Sequence, residues 1–260
     1  MKSNTVKIKP FLHFLEGVYL GGVLNECLVR VKKGKGTVEA IDITNSTIIV
    51  GEKKILSGDI NADFGLGNIE LLIKFLSSAQ DESVSFKQKG NYLLFGVKSK
   101  KSHKKLEYLL TQPDLIATRF NLSQNEKGKN KNPINKILES LEYSTSFPAS
   151  FIKDHCSYMS LLKNQVTNGI VSILCDEDGE IEFVYGEKND HMLKLSLDSE
   201  MDEGEDLEIK INGEHLAKIF MAIEYSQDDQ PTIHFSNNQP VVVKAGKMGW
   251  ALVPITDLEE

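Results

Sequence analysis

The chain has 260 residues, enough for one large domain or two of ordinary size, and 40% of them are hydrophobic, which excludes global disorder. A formal net charge of −7 excludes a protein that grips nucleic acid with most of its surface, but leaves room for basic groups gathered on one face. Cys27, Cys156 and Cys175 are too few and too scattered for a disulfide framework or a thiolate metal site, and no run approaches the roughly 20 apolar residues of a membrane span.

The chain opens Met1-Lys2-Ser3-Asn4 with no apolar stretch of signal-peptide length, so a soluble, cytoplasmic protein with reduced thiols is expected. Residues 9–18 carry apolar side chains at helical spacing. Phe11, Phe14, Leu15 and Val18 share one face, with Lys9, His13 and Glu16 opposite. Alternating segments then predict strands at 24–32, 37–43 and 47–50, separated by Lys33-Gly34-Lys35-Gly36 and by Asn45-Ser46.

From Gly67 to Thr111 the pattern reads helix, strand, strand, basic turn, strand, and from Gly213 to Ile255 it reads the same way. Leu72-Ile73-Lys74 falls opposite Leu216-Ala217-Lys218, and Leu109-Leu110 opposite Leu252-Val253. Identity is low, so the match rests on pattern and spacing. In the first copy the helix buries Ile69, Leu72, Ile73 and Leu76 and turns Lys74 outward. In the second it buries Leu216, Ile219, Phe220 and Ile223 and turns out Glu214, Lys218 and Met221.

Between the copies, residues 112–141 form a polar connector rich in Lys, Asn and Gly. Its last residues, 134–141, read equally as a short helix or an incoming strand. Pro148 then opens a helix to about Asn164, with Phe151, Ile152, Met159 and Leu162 inward and Lys153, Ser157 and Ser160 outward. Strands follow at 170–175, 181–185 and 192–197, the first two joined at Asp178-Gly179. The fold class expected is therefore α+β and duplicated, with domains at 1–111 and 142–260. Each has two helices and antiparallel sheets.

Catalytic signatures are missing. Gly65-Leu66-Gly67 lacks the phosphate-loop pattern and reads as a helix-leading turn. Asp176-Glu177-Asp178-Gly179-Glu180 lacks calcium-loop spacing, and the six histidines lack paired-ligand spacing, with His155 and His215 placed at a core edge. No cofactor and no metal are expected, and the acidic run 198–208 reads as a solvated loop. The basic run Lys98-Ser99-Lys100-Lys101-Ser102-His103-Lys104-Lys105 reads as a solvated hairpin turn, or as a contact to DNA phosphates or an acidic partner.

All four helices present a lysine on the polar face of an acidic protein. Together with the duplication and the closing stretch Pro240-Val241-Val242-Val243, Lys247-Met248-Gly249 and Ala251-Leu252-Val253-Pro254-Ile255, this resembles the DNA sliding clamps of the proliferating cell nuclear antigen and tailed-phage polymerase clamp type. Ala40-Ile41-Asp42 before Thr44-Asn45-Ser46 resembles the early loop of that family. The resemblance implies a processivity factor that is not an enzyme. It implies a head-to-tail homotrimeric ring around duplex DNA, held without sequence reading and served by a DNA polymerase and a clamp loader. It places Lys9, His13, Lys74, Lys153, Ser157 and Lys218 toward DNA. It places Ile41, Ile43, Leu252, Val253, Pro254 and Ile255 at a partner pocket. The alternatives are a monomeric DNA-bound processivity factor and, further off, an α+β enzyme.

Overall fold

A computed structural model describes residues 4–32, 35–41, 47–53, 62–79, 83–98, 103–113, 115–116, 133–162, 169–186, 192–197, 206–225 and 230–255. The chain divides into two compact units, one made of 1–43 and 49–130 and the other of 44–48 and 131–260.

The first unit runs β1 (Asn4–Lys7), α1 (Ile8–Tyr19), β2 (Cys27–Lys32), β3 (Lys35–Ile41), β4 (Thr47–Lys53), β5 (Ala62–Leu66), α2 (Ile69–Ser77), β6 (Ser83–Lys89), β7 (Tyr92–Lys98) and β8 (His103–Leu109). Its strands lie in the orders β1-β6-β7-β8 and β5-β2-β3-β4. Strict alternation makes β6 and β7 strands. Val84, Phe86, Leu93, Phe95 and Val97 are buried, while Lys87 and Lys89 point to solvent. Pro10 falls in the first turn of α1, where its missing N–H costs nothing. The Asn68 side chain caps α2 by accepting from the Leu71 N–H at 3.0 Å. Strand β8 holds α2 at both ends. The Tyr108 hydroxyl accepts from the Asn68 N–H at 2.9 Å, and Lys104 Nζ donates to the Ser78 carbonyl at 3.0 Å.

The second unit begins with a short helix, α3 (Pro133–Leu138). It continues β9 (Tyr143–Ser146), α4 (Ala149–Leu162), β10 (Ile170–Cys175), β11 (Ile181–Tyr185), β12 (Leu193–Leu197), β13 (Leu207–Asn212), α5 (Gly213–Ala222), β14 (Thr232–Phe235), β15 (Val241–Ala245) and β16 (Met248–Leu252). The strand orders are β9-β14-β15-β16 and β13-β10-β11-β12. From β9 onward both the element order and the strand orders repeat those of the first unit. Asn212 caps α5 as Asn68 caps α2, accepting from the His215 N–H at 2.9 Å.

The closing hydrogen bond is repeated as well. Thr111 donates its N–H to the Gly65 carbonyl of β5 at 2.9 Å, and Ile255 donates to the Lys210 carbonyl of β13 at 2.7 Å. At Gly65 a side chain would collide with the Thr111 carbonyl, so glycine is what lets this strand be closed at such short range.

An aromatic cluster fills the second core. Phe151 meets Phe183 edge-on at 4.9 Å between ring centroids, and Phe147 lies 5.1 Å from Phe220. Each such pair is worth about 0.5–1.5 kcal/mol beyond its buried area.

Several expectations need correction. Strands β1 and β5 are additions to the expected set, because β1 is four residues long and β5 carries Asp63 and Gly65. The acidic run does not remain a loop throughout, since Leu207 and Glu208 begin β13, where the buried Leu207, Ile209 and Ile211 alternate with polar residues. His155 is not at a core edge. It is fully buried, one turn beyond Phe151, against Phe183 and Phe220. Neither end of the connector is a bare polar linker. Ile116 is buried with Leu28, and Ile134 on α3 is buried against Gly249. Residues 117–132, between these anchors, lie outside the described residues.

Candidate nucleic-acid interface

In the first unit, α1 and α2 pack on each other. They bury Phe11, Phe14, Leu15 and Val18 from α1 and Ile69, Leu72 and Leu76 from α2. The same 3.6-residue period that buries these side chains turns Lys9 and Lys74 to solvent and leaves His13 half-buried. Ile73, expected inside, is half-buried.

Lys74 Nζ lies 2.5 Å from Glu70 Oε1, one turn earlier on α2. The hydrogen bond to Glu70, aided by its charge, holds the Lys74 ammonium above its usual range. Both groups are solvent-exposed, so the pair contributes little to stability. Its consequence is electrostatic: the positive charge is met by a neighbouring carboxylate.

In the second unit α4 and α5 pack together. Lys153 and Ser157 are exposed, one turn apart on α4, while Lys218 on α5 is half-buried. Ile152 and Met159 are half-buried, and the Leu162 side chain lies outside what the structure describes. Asp154 is exposed beside Lys153, and Glu214 stands one turn before Lys218. Both helix pairs thus carry lysines diluted by carboxylates: Glu16 and Glu70 in one unit, Asp154 and Glu214 in the other. Neither face is a dense cationic cluster of the kind that grips phosphates.

Sequence reasoning missed the apolar part of this surface. Met221 is 68% exposed, as expected, but Leu71 and Leu161 are also exposed on the helices bearing Lys74 and Lys153. Helical periodicity alone places Leu161 beside the buried stripe, and only the packing leaves it outside.

The expected partner pocket is divided. Leu252 is a correction: at 1% exposure, paired in register with Val241, it belongs to the second core and cannot receive a peptide directly. Val253 is exposed, and Pro254 and Ile255 are half-buried. Ile255 is fixed by its bond to Lys210. Ile41 ends β3, with its side chain undescribed, and Ile43 lies outside the described residues.

Several carboxylates of the second unit are taken up in local bonds, while the buried His155 Nε2 has no hydrogen-bond partner among the described residues. Asp176 accepts from the Glu180 N–H at 2.8 Å, Glu208 from the Ser172 hydroxyl at 2.8 Å, and Glu182 pairs with Lys194 at 2.6 Å. The acidic depression lined by these carboxylates is held by local turn and cross-strand bonds. No group of three or more His, Cys, Asp or Glu with the arrangement of a metal site occurs among the described residues.

Burial pushes the Cys27 and Cys156 thiols up, which disfavours the nucleophilic thiolate. Burial lowers His155 to about 4, so at neutral pH the ring is uncharged, with Nδ1 2.5 Å from the Tyr185 hydroxyl. Among the described residues no helix is long and apolar enough to cross a membrane.

A scan against protein-family models finds no match, and a search of curated proteins finds none either.

Proposed function

We propose that this chain is a DNA sliding clamp, a non-catalytic processivity factor that closes as a head-to-tail homotrimer around duplex DNA and tethers a DNA polymerase. The observation that carries the reading is the internal duplication. One order of ten elements occurs twice with the same strand neighbours, and both copies turn lysines outward from a packed helix pair.

Two similar units per chain supply six similar units in a trimer. Heterologous contacts close into a ring when the rotation per subunit fits. The helix faces suit the task. Lysines diluted by carboxylates touch phosphates non-specifically and weakly, and sliding requires that. A polymerase or clamp loader would dock on the second unit near Val253, Pro254 and Ile255, with Leu252 supporting them from the core, and the resemblance also assigns Ile41 and Ile43 to partner binding.

The test is a fourfold variant, Lys9→Ala, Lys74→Ala, Lys153→Ala and Lys218→Ala, assayed with the cognate polymerase and loader. Trimer mass should be unchanged and processivity at moderate salt should fall. Full processivity in the variant would overturn the DNA-facing assignment. A wild-type chain that sediments only as a monomer at micromolar concentration would favour the open, monomeric processivity factor.

A further inference from the structure

Strands β6, β7 and β8 turn one face toward the helices of the first unit and the other to solvent. On the inner face Phe95 meets Phe75 of α2 at 6.4 Å between ring centroids. On the outer face the register sets Lys87 beside Leu94 and Glu107, and Lys89 beside Tyr92 and Leu109. Lys105 stands one row before, opposite Gly96. Tyr92 and Leu109 are 44% and 60% exposed, and Leu94 is half-buried. An apolar strip therefore lies in the open between exposed lysines.

The charge of this face runs against that of the chain. The three strands hold five lysines and one carboxylate, in a protein of net charge −7. Among the described residues none of Lys87, Lys89 and Lys105 is held in an ion pair, unlike Lys74 and Lys194.

The internal repeat shows what such a face can carry. In the corresponding sheet of the second unit, α3 lies on β15 and β16 and sets Ile134 against Gly249. Val242 and Ala251, on the same side of those strands, are fully buried. Ile134, Ile137 and Leu138 of α3 fall at i, i+3 and i+4, and the helix holds no carboxylate. It suits an uncharged floor. The first unit adds lysines to that floor, so a helix seated there must bring carboxylates.

We propose that the outer face of β6, β7 and β8 docks a short acidic amphipathic helix of a partner protein. Tyr92, Leu94 and Leu109 receive its apolar side chains, and Lys87, Lys89 and Lys105 meet its carboxylates. The surface is additional to the partner site at Val253, Pro254 and Ile255, and it does not depend on ring closure.

A nucleic-acid strand fits this face less well. It needs several rings to stack on and a continuous track of cations. Tyr92 is the one exposed ring on these strands, and Glu107 stands among the lysines.

The experiment adds a fluorescent peptide of about 12 residues, a stapled helix rich in Glu with Leu at i, i+3 and i+4, to the full chain. Fluorescence anisotropy should report binding that weakens as salt rises. Lys87→Gln with Lys89→Gln should weaken it about three- to tenfold, and Tyr92→Ala with Leu109→Ala about tenfold. Glu107→Gln should tighten it about twofold, a gain that damage to the fold cannot produce.

No binding at about 1 mM peptide and low salt would overturn the proposal, as would binding that none of these changes moves. Equal binding of a peptide with every Leu replaced by Gln would also sink it, since charge alone would then suffice. So would an oligothymidine that binds through Tyr92 where the peptide does not, which would assign the face to nucleic acid.

Discussion

Strands β8 and β16 occupy the same place in two units of the same order, and they meet solvent very differently. In β16, every residue from Gly249 to Leu252 is buried, whereas in β8 only Tyr108 is. Part of the difference lies in what covers the outer face. Helix α3 packs on β15 and β16 and sets Ile134 on Gly249, whose missing side chain leaves the space. At the matching end of the first unit, Leu109 and Tyr92 stand in the open. Within each unit the shared topology fixes which strands neighbour one another, and the cover that α3 brings is one reason β16 meets solvent less than β8.

The largest expected effect tests whether the second core depends on its aromatic cluster. Phe183→Ala removes the ring that Phe151 and His155 contact and should cost about 3–5 kcal/mol in urea unfolding. Leu109→Ala, on the open strand, should stay within about 0.5 kcal/mol for the unassembled chain. Equal losses from the two changes would erase the contrast between covered and open strands.

Ile134→Ala should come next, at about 2–4 kcal/mol, because it uncovers β16 and leaves a void over Gly249. A loss no larger than that of Leu109→Ala would mean that α3 is not what protects the strand.

A third effect separates the units by pH. Burial lowers His155 in the folded chain to about 4, against an ordinary value near 6.5 in the unfolded one. The unfolded chain therefore binds the extra proton first. The stability contributed by the neutral ring is fully present above about pH 6.5. It is lost as pH falls toward 4, by an amount on the order of 2–3 kcal/mol. Denaturant midpoints measured between pH 7 and 4.5 should fall for the wild type and fall less for His155→Leu. Parallel curves would remove His155 as the cause.

The smallest effect belongs to the exposed pair on α2. Glu70→Gln should leave unfolding midpoints where they are and lower the titration point of the Lys74 ammonium, read by NMR. No movement of that titration would show that the pair does not persist in solution.

How much of the fold is legible in the sequence depends on the kind of signal. Alternation and 3.6-residue spacing are local, so residues 9–18, 170–175 and 181–185 read as they fold, and the paired halves 67–111 and 213–255 align by pattern alone. Lys9, Lys74 and Lys153 are legible for the same reason, since the period that buries one face exposes the other, whereas Lys218 is half-buried. β1 and β5 are not legible, being short or interrupted by Asp and Gly, and they exist because β6 and β2 offer them partners.

Tertiary structure alone decided the fate of residues whose pattern fits two places. Leu252 and Val253 look alike as an apolar end, yet one is in the core and the other is exposed. His155 reads as a core-edge residue of its helix, yet Phe183 and Phe220 close over it. The Lys- and Asn-rich middle of the connector reads as an exposed link, yet Ile116 and Ile134 tie the residues flanking it to Leu28 and Gly249. A sequence sets the periodicity of each segment by itself. Burial is a property of what arrives from elsewhere in the chain, and that depends on long-range packing that no local pattern encodes.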